Sequence, residues 1–413
     1  MMTKRHSNFG TAARAAVLLL IGTVGILSSE ASAGSAAAAS TAATTPATAV
    51  APLAAPAGQI PGFLTGKVHD LSGAATAGSL DRKIEQARTD AAKAGGGAAY
   101  LAAYEFLSRT KFHRGNYSGP ADGYRVGTRD ARIRIEDKGR GKNSVTVDGE
   151  EKESPSPAGM LLLFDGSKGA AVQDVSLLDL DQSYEFGDTP VYWLGRAENK
   201  ESGAFLEKCF DAIKENAHVL DSLIFAISCH EGPQARTFLK KTAVGPRPGK
   251  IREKAIFWLG NAGDSQALTD LKEIYAKEQD GSVKKQIVFA IQLSKQKDAV
   301  GELIRIAKQD SSPDVRKQAV FWLGQKASAE SVKALKDIVE APDDPAGAAS
   351  ESGLKEQAVF AISQLPKDKS VPMLIDLAKA NKKSSVRKKA IFWLGQTGDP
   401  AALKFFEDIL LKK

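Results

Sequence analysis

From Val191 to the end, the chain repeats one pattern of apolar and polar positions. The related segments are VYWLG at 191–195, IFAIS at 224–228, IFWLG at 256–260, VFAIQ at 288–292, VFWLG at 320–324, VFAIS at 359–363 and IFWLG at 391–395. Their spacings are 33, 32, 32, 32, 39 and 32 residues. A fixed period of this size marks a stacked array. The long spacing is the ordinary period plus a loop, because APDDPAGAASESG at 341–353 is rich in Pro and Gly. Each unit predicts two helices. In the fifth, Val315, Ala319, Trp322 and Leu323 share one face, after the start signal Ser312-Pro313-Asp314. Gly324 marks either the end of that helix or the close approach of the next one. The second helix runs from about Ala329, with Val332, Leu335, Ile338 and Val339 on its apolar face. Neither helix can bury that face alone, so neighbours must stack. The predicted fold is mainly α: an α-solenoid of about seven two-helix repeats over 188–413.

Ahead of the repeats, residues 59–187 predict a small α+β segment. Leu80, Ile84, Ala87 and Ala91 have helical spacing, and Gly95-Gly96-Gly97 divides the stretch from Leu80 to Leu107 into two helices. The second is expected from Ala98 to Leu107. Beyond it the period changes to that of strands: Tyr124-Arg125-Val126, ARIRI at 131–135, Val145-Thr146-Val147, MLLLF at 160–164 and Val172 to Leu180. Asp148-Gly149 and Asp165-Gly166 are turn pairs, so a small antiparallel sheet is expected. Residues 141–143 and 150–157 read as exposed loops.

The first 33 residues read as a secretory signal. Lys4, Arg5 and Arg14 are basic, Ala15 to Leu27 is apolar, and Ala31-Ser32-Ala33 offers small residues for cleavage. The alternative is an uncleaved anchor, but the apolar run is short of the roughly 20 residues a spanning helix needs. A periplasmic or secreted protein follows, with no stable membrane span after cleavage. Residues 34–58 are mostly Ala, Thr, Ser and Pro, a linker with little to bury.

Segments such as SSPDVRKQAVFWLGQ, KIREKAIFWLGNAGDSQALTDL and SSVRKKAIFWLGQTGDPAALKFF resemble the HEAT-like repeats of phycobilisome lyases. They share a Val/Ile-Arg start, a small residue three positions on, Leu-Gly near the end of helix one, and in two of them Gly-Asp before helix two. The resemblance covers about 190–413 and implies an α-solenoid; it leaves the role open, because one fold hosts many functions. HEAT-repeat hydroxylases of the deoxyhypusine type hold two irons with several His-Glu pairs. This chain has one such pair, His230-Glu231, which is too few for that ligand set.

Charge changes the picture little. The net charge of +7 is spread over 413 residues, and no nucleic-acid reading motif is present. Five histidines, among them His113, His218 and His230, show no metal spacing, and no nucleophile elbow or phosphate loop occurs. No catalytic, cofactor or metal residue is therefore assigned. GTRDARIRIEDKGRGK reads as a solvated hairpin. Asp174, Asp179, Asp181 and Glu185 alternate along a predicted strand and read as a solvated face. Cys209 and Cys229 lie on successive helices, offset by about 9 Å, so two buried thiols are expected rather than a disulfide.

The candidate site is aromatic. Tyr192, Phe225, Phe257, Phe289, Phe321, Phe360 and Phe392 hold one position of the repeat, and the next position alternates between Trp193, Trp258, Trp322, Trp393 and Ala226, Ala290, Ala361. The tryptophans share the phase of the apolar stripe and read as core, each large side chain facing a small one in the next unit. The Phe row points away from the middle of the stripe. Two readings stay open: lateral burial between helices, or an exposed apolar strip that binds a partner. The functional expectation is an exported, non-catalytic scaffold holding a protein or peptide partner at Phe257, Phe289, Phe321 and Phe360, with oligomeric state open. The alternative is an enzyme or enzyme accessory with a site where the sheet meets the first repeat, near His113, His218 or His230.

Overall fold

The computed structural model describes residues 59–73, 79–95, 98–114, 124–129, 131–137, 141–142, 145–148, 155–262, 266–342 and 348–411. The signal and linker expectations, and part of the predicted loops, lie outside these residues.

The chain begins with β1 (Leu64–Thr65), β2 (Val68–Asp70), α1 (Leu80–Lys93), β3 (Ala99–Ser108), β4 (Lys111–Arg114), β5 (Tyr124–Arg129) and β6 (Arg132–Asp137). It continues through β7 (Gly141–Lys142), β8 (Val145–Asp148), β9 (Ser156–Asp165), β10 (Val172–Leu178), β11 (Tyr184–Glu185) and β12 (Val191–Arg196). One sheet has the order β10-β9-β3-β12-β2, a second β1-β11-β5-β6-β7, and β4 pairs with β8. The pairing is mixed rather than purely antiparallel: β12 runs parallel to both β3 and β2, while β9 runs antiparallel to β3 and β10.

Two expectations change here. Ala99–Ser108 is a central strand, not a second helix. Tyr100, Ala102, Tyr104 and Phe106 enter the core shared with the helices, while Leu101 and Ala103 enter the core between the two sheets. A strand buried on both faces loses its polar alternation, and its apolar run mimics a helix. VYWLG at 191–195 belongs to β12, not to a first repeat. Tyr192 and Trp193 point to opposite faces of the sheet and are 2% and 3% exposed. The sheet therefore extends to Arg196, past the boundary placed at 187.

The helical half follows: α2 (Asn199–Ala212), α3 (Ala217–Ser228), α4 (Pro233–Val244), α5 (Gly249–Gly260), α6 (Ala267–Lys277), α7 (Gly281–Leu293), α8 (Ala299–Gln309), α9 (Pro313–Lys326), α10 (Ala329–Glu340), α11 (Ala348–Ser363), α12 (Lys367–Ala380), α13 (Ser384–Thr397) and α14 (Pro400–Leu411). From α3 these form six pairs among the described residues, odd-numbered first helices in one layer and even-numbered second helices in the other. Part of the long spacing is helix: α11 begins at Ala348, within the predicted loop. One continuous core runs from the sheet through α3 to α14. The sheet thus closes the first end of the stack.

The repeated residues explain the stacking. Asp280 and Ser312 accept hydrogen bonds from the first-turn amides of α7 and α9, satisfying donors that a helix leaves unpaired. The Arg or Lys of the start motif ties neighbours together. Arg252 Nε donates to Ala243 O (2.8 Å), Arg316 Nε to Ala307 O (3.0 Å) and Arg387 Nη1 to Asn381 O (2.8 Å), each at the end of the preceding second helix. There a cation meets unpaired carbonyls and the negative end of the helix dipole. Arg252 also reaches Glu278, and Lys284 reaches Asp310 (3.1 Å), the residues that cap the second helices of their own pairs.

Gly324 lies inside α9, so its role is close approach. A Cβ on Gly324 would stand 2.9 Å from Ala361 O, and one on Gly260 would stand 2.7 Å from Ala290 O. Gly395, at the same place in the last pair, has nothing within 4 Å. Helix propensity favours Ala over Gly by up to about 1 kcal/mol, while overpacking costs about 1–3 kcal/mol. Gly260→Ala and Gly324→Ala are therefore expected to destabilise, and Gly395→Ala to stabilise slightly. Urea unfolding of the three variants checks the signs, and a uniform gain would show that the close contact is absent.

Candidate functional site

The first-helix layer carries a continuous row of nine aromatic rings. Phe225 packs on Trp258 (centroids 4.9 Å apart), Trp258 on Phe257 (5.0 Å), and Phe257 stacks on Phe289 (6.0 Å). Phe289 then packs on Trp322 (5.0 Å), Trp322 on Phe321 (4.8 Å), and Phe321 stacks on Phe360 (6.3 Å). Phe360 packs on Trp393 (5.1 Å), and Trp393 on Phe392 (5.0 Å). These separations and the mixture of edge-on and offset stacked rings are those favoured by aromatic quadrupoles.

The Phe row is packed laterally and is also partly exposed. Phe257, Phe289, Phe321 and Phe360 are each half-buried, packed laterally and open along one edge. Phe392 is 54% exposed. The tryptophans differ from expectation. Trp258, Trp322 and Trp393 are half-buried at the edge of the core, and each faces the Phe of the preceding unit rather than an Ala. The alanines of the next units instead meet glycines, Ala290 at Gly260 and Ala361 at Gly324. Two kinds of interface alternate, one filled by Trp against Phe and one closed by Gly against Ala. The indole N–H groups of Trp322 and Trp393 are buried without a hydrogen-bond partner among the described residues, a cost of about 1–3 kcal/mol each where no partner is met.

Polar amides border the row, and the sequence reading overlooked them. Gln286, Gln318 and Gln357 stand three residues before a Phe and are half-buried. Asn261, Gln325, Gln364 and Gln396 stand four residues after one and are exposed. Positions three and four apart share a helix face, so the recurrence was legible in the sequence once the Phe row was treated as a face. Each amide offers both a donor and an acceptor.

The alternative candidates are three histidines, of which His218 and His230 lie where the sheet meets the solenoid. His113 lies in β4, and its side chain is outside the described residues. His218 is partly exposed, with Nε2 3.2 Å from Asp174 Oδ1. His230 is 3% exposed and stacks on Phe106 with centroids 4.4 Å apart. Its Nδ1–H donates to Ala226 O (2.9 Å), so Nε2 accepts from the Ser202 hydroxyl (2.6 Å), which accepts from the Tyr104 hydroxyl (2.7 Å). Both imidazole nitrogens are therefore hydrogen-bonded, which fixes the tautomer and the orientation of the buried ring. A cavity of about 300 Å³ adjoins His230. Arg109 at its wall donates to Ser228 O (2.6 Å) and to Ala262 O. Asn199 fastens the same place, accepting from Leu107 N (3.0 Å) and donating to Leu107 O (2.8 Å). The arrangement is a latch between two halves of the molecule.

The other titratable groups singled out are also structural. Asp174 is 4% exposed, not on a solvated face. A register shift between β9 and β10 falls at this residue, and its carboxylate accepts from Ile133 N (2.8 Å) and Val175 N (2.9 Å). Asp179 is likewise buried and accepts from Asp181 N (3.1 Å). Cys209 and Cys229 are free thiols, and burial pushes both up to about 12. Thiols held protonated in this way are poor nucleophiles. Among the described residues no group of three His, Cys, Asp or Glu side chains could hold a metal ion, and no helix is long and apolar enough to cross a membrane.

Residues 268–355 and 346–413 match the family model described as HEAT repeats, and residues 251–276 match that of the PBS lyase HEAT-like repeat. No curated protein matches the chain. Among solved structures, human deoxyhypusine hydroxylase in complex with glycerol is similar at 20% identity, over 51% of this chain and 79% of that one. The TM-score of that match is 0.23.

Burial lowers His230 from 6.5 to about 4. Because the folded value lies below the unfolded one, the neutral latch is fully stable above about pH 6.5. It loses stability as the pH falls toward 4, by on the order of 3 kcal/mol in all. Thermal unfolding between pH 7.5 and 4.5 is expected to show this loss, and His230→Gln is expected to reduce it. An unchanged slope in the variant would remove His230 as its source.

Proposed function

From the premise that this chain is a HEAT-repeat protein over residues 251–413, we propose that it is a non-catalytic scaffold. It holds an extended polypeptide segment of a partner along its aromatic row. The observation that carries this reading is the row itself: nine rings in unbroken contact, open along one edge and bordered on both sides by amides. The rings offer apolar contact at regular intervals, and the amides can pair with a backbone that lies across them. Each unit adds a small contribution, so length of contact supplies the affinity.

Phe257, Phe289, Phe321 and Phe360 provide the strip in this reading, and Asn261, Gln325, Gln364 and Gln396 extend it. The reading also takes the scaffold to be periplasmic or secreted, on the basic residues, apolar run and Ala31-Ser32-Ala33 of its first segment. We read the junction as a fastening between sheet and solenoid, because Arg109 and Asn199 there bind backbone carbonyls of both halves.

The Phe residues also hold neighbouring units together, so truncating them mixes binding with stability. Photo-crosslinking from exposed positions separates the two. A crosslinker at Gln325 or Gln364 is expected to capture one polypeptide in the chain's own source, and one at Glu330, on the second-helix side, is expected to capture none. Equal capture from both sides, or none from either, would rule out the row as the binding face. Phe289→Ser with Phe321→Ser is expected to lower stability by about 3–6 kcal/mol in all, from partial loss of two packed aromatic side chains, as read by chemical denaturation.

A further inference from the structure

The last described helix pair, α13 and α14, presents an internal repeat interface that no other described residue covers. The comparison can be made residue by residue. Ile391 occupies the place of Ile224, Ile256, Val288, Val320 and Val359, which are each 0% exposed, yet Ile391 is 40% exposed. Aligning GDSQALTDLKEIY with GDPAALKFFEDIL sets Leu403 beside Leu268 and Leu410 beside Tyr275. Leu268 and Tyr275 are both 5% exposed, whereas Leu403 is 59% and Leu410 82% exposed. Gly395 keeps the open place that Ala290 and Ala361 fill at Gly260 and Gly324. A capping repeat ordinarily carries a polar outer face, and this last described pair does not.

We propose that this face binds the same face of a second copy of the chain, giving a twofold dimer joined end to end. Three observations select the second copy and its orientation. First, head-to-tail stacking is blocked, because the other end of the solenoid is already covered: α3 shares its core with β10 and the sheet. Among the described residues, nothing covers the α13–α14 end in the same way. Second, α13 is self-complementary. Phe392 projects and Gly395, one turn on, leaves a hollow, so an antiparallel pair of α13 helices seats each Phe392 over Gly395 of the second copy. A twofold contact needs such reciprocal matching. Third, the charges suit that direction. The start of α13 is basic, with Lys382, Lys383 and Lys388, while its end is followed by Asp399, whose Oδ1 also accepts from Ala401 N (2.9 Å). The same register brings Lys388 to Asp399 of the second copy. Parallel stacking would set like ends together. The dimer would join two aromatic rows across the twofold axis, but its existence does not depend on what those rows bind.

Sedimentation velocity of the chain over a concentration series tests this. The wild type is expected to sediment at twice the mass of one chain. Gly395→Arg, whose Cβ would have nothing within 4 Å among the described residues, is expected to be monomeric with unchanged circular dichroism and thermal unfolding of the monomer. Lys388→Asp is expected to shift the equilibrium toward monomer, and adding Asp399→Lys is expected to restore the dimer. A wild type that stays monomeric throughout overturns the proposal. A dimer that survives Gly395→Arg overturns it too, since the contact would then lie elsewhere. A double variant no better than Lys388→Asp alone overturns the antiparallel register.

Discussion

No helix pair in this solenoid can bury its own apolar face, and every other feature follows from that constraint. Val315, Ala319 and Leu323 on α9 are each 0% exposed only because neighbouring pairs cover them. Burying a side chain such as Leu323 contributes about 1.5–3 kcal/mol, so each pair is held by its neighbours more than by its own helix propensity. The stack must then be closed at its ends. The mixed sheet closes one end, with the core running without a break from Tyr104 and Leu162 into α3.

Closing the layers also generates the candidate binding face. Adjacent first helices meet through two alternating solutions, Trp against Phe and Gly against Ala. Both bring the Phe of each unit within reach of the next, and the rings join into one row. The same side chains therefore hold the units together and expose an apolar edge. Stability and recognition cannot be tuned independently at Phe257, Phe289, Phe321 or Phe360, whereas the bordering amides carry no such double duty.

The junction shows a different economy. Tyr104, Ser202 and His230 form a buried chain of hydrogen bonds in which every donor has an acceptor. A buried polar network is favourable only when it is complete. Its completeness also fixes one tautomer and one orientation of the imidazole, with Nδ1–H held by Ala226 O and the ring stacked on Phe106. The pairing of serine with histidine is here a fastening of α2 and α3 to the central strand.

The sequence by itself determined the repeat period, the pairing of helices and the aromatic position, because a 32-residue period of apolar residues reports burial that recurs identically. Ser312-Pro313 and the Arg of each start motif were legible for the same reason: they answer local needs of helix ends. It failed where burial is not periodic. Ala99–Ser108 is apolar on both faces and imitates a helix, and VYWLG at 191–195 matches the repeat motif while its backbone pairs with β3. Asp174 follows strand alternation on paper, yet a register shift turns it inward. Only the tertiary structure decided which way the tryptophans face, that Gly324 is a contact rather than a helix end, and that the Phe row is packed and open at once. Those outcomes depend on the distance between two helices, which is set by atoms in both and written in neither segment alone.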